Sequence, residues 1–233
     1  MHRVMSGGLL SAFVVLGLAS GASAIDVQRS GNTYHAAVCA RTVGMAAHCT
    51  ARIVTDKHGT PLSSAQPPIS GKTPADLQSA YKITTTGSSS TIIAIVDAFG
   101  YTNAEADLGV YRSQFGLPAC TTDNGCFKKL NEHGKQKNYP AQNIGWAQES
   151  ALDLDMASAM CPSCQIWLIE GDDNSFNSLM KAVNKAAELG AHVISNSYSA
   201  GEVHGVARLD SNYTHPGIAI TASRGAAPGP QSL

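Results

Sequence analysis

Four short apolar runs in the second half of the chain predict the strands of one sheet. The runs are rich in Ile and Val and lie at residues 91–97, 165–170, 192–197 and 217–223. Apolarity is continuous along each run rather than alternating, which indicates strands that are covered on both faces. Segments with helical periodicity separate the runs, at residues 103–115, 147–160, 175–189 and 206–213. Because strand and helix alternate, the sequence predicts an α/β fold of three layers with a mostly parallel sheet.

The chain before the first run divides into two segments. Residues 1–24 have a basic start at Arg3, an apolar stretch and a small-residue end, which is typical of a secretory signal peptide. The apolar stretch is shorter than the roughly 20 residues of a membrane span, so we expect a secreted protein with no membrane contact after cleavage. Residues 25–90 are rich in turn-forming residues, which predicts an irregular leader or linker. Within it, Thr73 and Pro74 are suited to begin a short helix.

Charge and cysteine content narrow the class of protein. The formal net charge of −1 gives no electrostatic reason to expect a nucleic acid or an anionic membrane as a partner. The six cysteines are typical of an oxidising compartment. Proximity in sequence favours three local disulfides, although other pairings stay open; the candidate pairs are Cys39 with Cys49, Cys120 with Cys126, and Cys161 with Cys164.

The Cys-x-x-Cys spacing of Cys161 and Cys164 also occurs in thiol oxidoreductases. A redox motif of this kind needs its first thiol at a helix N-terminus, where the helix dipole stabilises the thiolate. Here the motif follows the end of a predicted helix and precedes a strand. The sequence therefore favours a structural disulfide over redox chemistry.

Two acidic residues interrupt the apolar face of the helix predicted at residues 147–160. Glu149 and Asp153 are four residues apart and share that face, whereas Asp155 points to the opposite, polar side. A buried charge is costly unless it is partnered. Two interpretations stay open. The acids could lie in a protruding first turn and stabilise the helix dipole, or they could share a proton, with Glu149 as general base and Asp153 as its orienting partner.

The histidines form no pattern typical of catalysis or metal binding. His58 begins a His-Gly-Thr tripeptide, but Pro61 follows and the surroundings are rich in turn residues, so we expect a turn there. No two histidines have the spacing of a zinc hydrolase. The sequence predicts no metal site and no cofactor.

Three stretches resemble the sedolisin, or serine-carboxyl peptidase, family, whose fold is similar to that of subtilisin. They are "IIAIVDAFGYTNAEADLGVYRSQFGLPACTTDNGCFKKLN", "GWAQESALDLDMASAMCPSCQIWLIEG" and "VISNSYSAGE". The Glu-x-x-Leu-Asp helix is the most specific of these elements. The resemblance implies a subtilisin-like fold and a serine-type endopeptidase that hydrolyses peptide or protein substrates at acidic pH.

The resemblance also implies roles for individual residues. Glu149 would be the general base, Asp153 would complete a triad with a serine nucleophile, and Asp97 would support the pair. The edge that pairs with the substrate backbone would be formed by Ser197, Tyr198 and Ser199, although Ser199 stands where the family usually has glycine.

Departures from the family pattern concentrate toward the end of the chain. We expect residues 91–223 to be the N-terminal part of a sedolisin-like domain, followed by a divergent tail at residues 224–233. Ala226 stands where the family has an aspartate that stabilises the oxyanion, and the Gly-Thr-Ser segment with the nucleophile and the calcium loop have no counterpart in the sequence. We therefore expect a fold that is incomplete at its C-terminus, an inactive chain and no bound calcium.

No other serine is a convincing nucleophile by its position. Ser195 and Ser197 belong to the substrate-edge match, and Ser223 precedes the altered oxyanion segment. Two alternatives to an active peptidase follow: a non-catalytic module that binds peptides, or a truncated gene product.

Overall fold

The computed structural model describes residues 27–62, 71–201 and 204–223. The predicted signal peptide and the divergent tail therefore lie outside the described residues. In chain order, the strands are β1 (Val27–Ser30), β2 (Thr33–Ala37), β3 (His48–Cys49), β4 (Arg52–Thr55), β5 (Ile92–Ala98), β6 (Phe127–Asn131), β7 (Gln165–Gly171), β8 (Val193–Asn196), β9 (Tyr198–Ser199) and β10 (Ala219–Ala222). The helices are α1 (Pro74–Ala80), α2 (Ala104–Gln114), α3 (Ile144–Met160), α4 (Phe176–Glu188) and a 3₁₀ helix (Val206–Tyr213).

A five-stranded parallel sheet forms the centre of the fold, with the strand order β10-β8-β5-β7-β6. The four apolar runs of the sequence form β5, β7, β8 and β10, so their prediction as strands is confirmed. The sequence analysis missed β6, whose Phe127, Leu130 and Asn131 are buried while its two lysines are half-buried. This mixture of polar and apolar positions suits an edge strand and gives no continuous apolar run.

Helices cover both faces of the sheet and create two apolar clusters, which confirms the three-layer architecture. On one face, α2 and α3 place Leu108 and Leu154 against Ile95, Ile166 and Leu168. On the other face, α4 contributes residues of a larger cluster; its members include Leu179, Val183, Val96, Ile169 and Ile194. The sheet is therefore buried on both sides, which explains the continuous apolarity of its central strands.

The start of α3 tests one of the two interpretations of Glu149 and Asp153. The side chain of Asn143 accepts a hydrogen bond from the amide of Trp146, and this N-cap begins the helix at Ile144. The first turn holds no acidic residue. The interpretation of the two acids as first-turn residues is therefore wrong, because both lie deeper in the helix.

The segment before the sheet is more ordered than the sequence predicts. Strands β1, β2 and β4 form an antiparallel sheet. Gly31, at a positive φ of 57°, lies in the tight turn between β1 and β2. The prediction of an irregular leader is wrong for these residues, because a Gly-Asn hairpin turn between short strands was overlooked. The predicted helix at Pro74 is confirmed: Thr73 and Asp76 form a reciprocal capping box.

The structure contains the three disulfides favoured by proximity, Cys39–Cys49, Cys120–Cys126 and Cys161–Cys164. All six cysteines lie within the described ranges, and none of them is free. Cys161 is the C-cap residue of α3, which agrees with a structural pair at the end of a helix. Among the described residues, no helix combines the length and apolarity that crossing a membrane requires.

Arg112 of α2 links the loop after α2 to the last turn of α3 and to the loop that follows α3. Its side chain is buried, and its guanidinium donates to the Pro118 carbonyl at 2.5 Å, the Ser158 hydroxyl at 2.9 Å and the Pro162 carbonyl at 2.7 Å. Burial lowers the pKa of Arg112. The planar guanidinium can reach all three acceptors at once, which an ammonium group cannot do in the same geometry.

We predict that Arg112→Lys lowers the free energy of unfolding by about 3 kcal/mol, because at least one buried acceptor loses its charged donor. Urea denaturation of the variant measures the loss. Arg208→Lys is the control, since Arg208 is exposed and should change stability by less than about 0.5 kcal/mol. Equal stability of the two variants would contradict this role of Arg112.

Candidate active site

The candidate site lies at the carboxyl ends of the parallel strands, where open α/β sheets bind their ligands. Asp97 is near the end of β5, and Ser197 follows β8, which pairs with β5. Glu149 and Asp153 reach the same place from α3, which packs against β5. The structure thus brings together the three acids that the sequence singled out.

Asp97 is fully buried and has only one hydrogen-bond partner among the described residues. The hydroxyl of Ser150 donates to its Oδ2 at 2.8 Å, and its Oδ1 meets no donor there. Burial raises the pKa of Asp97 well above its ordinary value, and the negative charges of Asp153, Glu149 and Glu170 add to the effect. Asp97 therefore keeps its proton to a higher pH than an exposed aspartate does.

Asp153 is held by Ser197 rather than by a cation. The Ser197 hydroxyl donates to Oδ1 of Asp153 at 2.8 Å, while Oδ2 is buried and contacts no donor within the described ranges. Burial raises the pKa of Asp153 to about 7; the Ser197 hydrogen bond lowers it, and the charge of Glu149 raises it. Asp153 can therefore hold a proton under conditions in which an exposed carboxyl is ionised.

Glu149 receives two backbone hydrogen bonds from the segment between β3 and β4. The amides of Thr50 and Ala51 both donate to Oε2 at 2.5 Å. Burial raises the pKa of Glu149, and the amides of Ala51 and Thr50 partly offset that rise. These donors have no signature in the sequence, because they are main-chain groups almost a hundred residues away from Glu149.

The expected substrate edge is paired with another part of the same chain. Strand β9, Tyr198–Ser199, lies antiparallel to β3, with His48 opposite Ser199 and Cys49 opposite Tyr198. The Thr50 hydroxyl also donates to the Ser197 carbonyl at 3.3 Å. The edge therefore accommodates an extended segment beside the acids, and in this structure that segment belongs to the chain itself.

The side chain of Tyr198 points into the protein. It is 5% exposed, and its hydroxyl donates to Asn196 Oδ1 at 2.8 Å and lies 3.1 Å from the Tyr213 hydroxyl. Burial raises the pKa of Tyr198 well above its ordinary value. Its ring also packs beside Trp146. Tyr198 thus forms part of the apolar wall of the site.

Asp155 does not lie on a solvated face as the sequence predicts. It is half-buried, and burial together with the charge of Asp107 on α2 raises its pKa to about 8. Ser158, three residues along the same helix, is fully buried and accepts a hydrogen bond from Arg112. The prediction is wrong because α2 packs against this side of α3.

Glu170 is a fourth acid at the carboxyl ends of the parallel strands, and it is buried. It was not among the residues predicted from the sequence. It pairs in register with Asp97 across β5 and β7, and its Oε1 accepts the amide of Tyr101 at 2.7 Å. Burial raises the pKa of Glu170 to about 7, and the nearby ammonium of Lys129 acts against that rise. The sequence does contain a signal for Glu170, since it is a carboxylate near the end of an otherwise apolar strand.

Glu132, His133 and Asp172 have ligand atoms within 4.8 Å of one another, the only such group in the described part of the chain. Both oxygens of Glu132 already accept hydrogen bonds. Oε1 accepts from Lys181 at 2.9 Å, and Oε2 accepts the Asp172 amide at 3.0 Å and also the Ser178 hydroxyl. These donors lower the pKa of Glu132 despite its burial. Glu132 is therefore a buried carboxylate whose charge is paired with the exposed ammonium of Lys181.

Comparisons with known proteins identify similar folds. No protein-family model matches the chain, and no curated protein matches it. A solved structure of Pseudomonas sedolisin, a serine-carboxyl proteinase, in complex with two molecules of pseudo-iodotyrostatin is 19% identical with a TM-score of 0.47; the match covers 61% of this chain and 38% of sedolisin. This chain thus spans about two fifths of the length of that neighbour.

Two maturation proteases are also similar in structure. The prenylagaramide maturation protease PagA is 16% identical with a TM-score of 0.31, and the match covers 63% of this chain and 49% of PagA. The patellamide maturation protease PatG is 14% identical with a TM-score of 0.34, and the match covers 64% of this chain and 57% of PatG. All these neighbours are proteases, like the family that the sequence motifs resemble.

The buried acids predict that the protein is more stable at acidic pH than at neutral pH. A carboxyl whose pKa is raised by folding keeps a proton that the unfolded chain has lost. Its stabilising contribution is complete below the ordinary carboxyl pKa and is lost as the pH rises through the folded pKa, which is about 7 for Asp153 and Glu170. Glu132 acts in the opposite direction, but its contribution is already complete above its ordinary value of 4.5.

We expect the free energy of unfolding to fall by about 2 kcal/mol or more between about pH 5 and about pH 8. Urea denaturation across this range measures the slope. In Asp153→Asn the slope should be shallower, because a titrating group is removed. The control Asp123→Asn alters an exposed loop residue and should leave the slope unchanged. A stability that rises toward pH 8 would show that the acids are not buried in this way.

Proposed function

We propose that this chain carries the acid–base half of a serine-carboxyl peptidase site, with Glu149 as general base and Asp153 as its partner. The observation that carries this proposal is the position of both acids on the inner side of α3, beside Asp97 at the carboxyl ends of the sheet; Glu149 is buried and Asp153 is half-buried. A helix rarely turns two acids toward the protein interior without a functional reason. The resemblance of the sequence motifs to sedolisins supports the same roles for Glu149 and Asp153.

The hydrogen bonds of the two acids suit different roles. With a pKa of about 7, Asp153 stays protonated in acid. Burial raises the pKa of Glu149, but the Ala51 and Thr50 amides oppose that rise and favour its ionised form. A protonated Asp153 and an ionised Glu149 avoid the repulsion of two neighbouring charges. In peptide hydrolysis, Glu149 would take the proton of an attacking serine and later give it to the leaving amine. Asp97 would help to fix the position of α3 beside the sheet by accepting the hydrogen bond of Ser150, the residue after Glu149.

The nucleophile is the component that we assign by resemblance alone. Two serines contact the acids of the candidate site: Ser150 donates to Asp97, and Ser197 donates to Asp153. Neither of these serines donates to Glu149. We propose that cleavage requires the serine of a Gly-Thr-Ser segment, which the 233 residues do not include. An acyl-enzyme would form on that serine, and water would then release the acyl group.

A second candidate function is peptide binding without cleavage. The antiparallel pairing of β3 with Tyr198–Ser199 favours this candidate, because it is the backbone geometry by which an extended peptide adds to a sheet edge. We also propose that the protein is secreted, on the strength of residues 1–24 and the three disulfides. Peptide or protein substrates are the partners that both functions require.

We predict that the purified 233-residue chain cleaves no protein substrate above background at about pH 3 to about pH 5. A version extended by a downstream Gly-Thr-Ser segment should cleave denatured protein in this range. In that version, Glu149→Gln should lower kcat by about 100-fold to 10,000-fold, because the serine loses its base. Fluorogenic peptides measure the rates.

Gln148→Ala in the extended version is the matched control, since Gln148 is exposed next to Glu149. Its activity should equal that of the parent. Cleavage that survives Glu149→Gln would remove Glu149 from the mechanism. Peptide binding by the 233-residue chain in calorimetry, together with an inactive extended version, would instead favour the binding function.

A further inference from the structure

The segment at residues 48–51 makes two kinds of contact with the candidate site. Its strand part, His48–Cys49, pairs with the Tyr198–Ser199 edge. Its next two residues, Thr50 and Ala51, point their amides at Oε2 of Glu149. One short piece of backbone thus occupies the edge and binds the proposed base at the same time.

Two further features hold this segment against α3. The Cys39–Cys49 disulfide ties the end of β3 to the preceding loop. That loop approaches α3 so closely that a Cβ on Gly145 would lie 2.5 Å from the Val38 carbonyl oxygen. Gly145 is therefore required for this approach, because any larger residue would push the loop away from the helix.

Two amides on one carboxylate oxygen have a defined electrostatic effect. Hydrogen bonds from N–H groups stabilise the ionised form of a carboxyl, whereas burial favours the neutral form. Glu149 is 2% exposed, so burial alone would strongly disfavour its charge. Both donors lie on Oε2, which leaves Oε1 as the oxygen with room for a proton.

We propose that residues 48–51, tethered by the Cys39–Cys49 disulfide, are a positioning element that fixes Glu149 and keeps it ionised through the Thr50 and Ala51 amides. The importance of this element for catalysis rests on the proposed function. The contact itself does not, because the titration of Glu149 can be measured in a protein that cleaves nothing.

Several other titratable groups surround Glu149 and must be followed with it. Asp153 lies one turn along the same helix, and Asp97 comes from β5. The paired strands β3 and β9 carry His48 and Tyr198. A change confined to the amides of the segment should move the titration of Glu149 first, and that of Asp153 and Asp97 only through the charge of Glu149.

The first experiment uses the unaltered 233-residue chain. Nuclear magnetic resonance follows the amide protons of Thr50 and Ala51 and the side-chain carboxyl carbon of Glu149 from about pH 3 to about pH 8. We expect both amide signals to move with the midpoint of the Glu149 carboxyl, and this movement to vanish in Glu149→Gln. Amide signals that do not change with pH in the unaltered chain would overturn the proposal.

The second experiment removes one donor. Thr50→Pro deletes the amide N–H, and the extended conformation of the preceding strand residue, Cys49, is compatible with proline. Thr50→Ala is the matched control, since it keeps the N–H and loses only the hydroxyl. We expect the titration midpoint of Glu149 to rise by about one pH unit in Thr50→Pro and to stay unchanged in Thr50→Ala. Equal midpoints in the two variants would refute the role of the amide.

The third experiment releases the tether. Replacing both Cys39 and Cys49 by Ser should raise the midpoint of Glu149, because the segment is no longer held against it. Replacing both Cys120 and Cys126 by Ser removes a disulfide that tethers neither Thr50 nor Ala51, and it should leave the midpoint unchanged. Identical midpoints in the two double variants would show that the Cys39–Cys49 disulfide does not position the base.

Discussion

The burial of carboxyl groups at one end of the parallel sheet is the constraint on which the site depends. Asp97, Glu149 and Glu170 are each almost inaccessible to solvent, and no cation among the described residues forms an ion pair with Asp97, Glu149 or Asp153. Serine hydroxyls and backbone amides supply the hydrogen bonds instead. Such partners do not neutralise charge, so burial raises the pKa of each of these carboxyl groups above its ordinary value.

The rest of the fold supplies the rigid frame that this arrangement requires. Asp97 is placed by a central strand, and Phe99, two residues later, has a left-handed conformation with a φ of 62°. A non-glycine residue in that region is strained and persists only where its surroundings fix it. Phe99 packs beside Trp146, which in turn packs beside Tyr198. These rings form an apolar wall that helps to keep the carboxyl groups out of water.

The sequence predicted the central layer well because its signals are local. Continuous apolar runs located β5, β7, β8 and β10, and the four-residue spacing placed Glu149 and Asp153 on one side of α3. The leader strands, the edge strand β6 and the burial of Asp155 were missed. Each depends on tertiary contacts: a hairpin of short strands, a partly polar edge and the packing of α2 on α3. The hydrogen bonds from the Thr50 and Ala51 amides to Glu149 could not be predicted from the sequence, because every residue type except proline carries the same main-chain donor.

The double contact of residues 48–51 links the proposed substrate edge to the proposed base. A peptide that paired with the same side of Tyr198–Ser199 would have to displace His48–Cys49. Displacement also withdraws the neighbouring amides from Glu149, which would then bind a proton more tightly. Under the proposed function, the same stretch of backbone therefore closes the edge to a peptide and holds Glu149 in its ionised form.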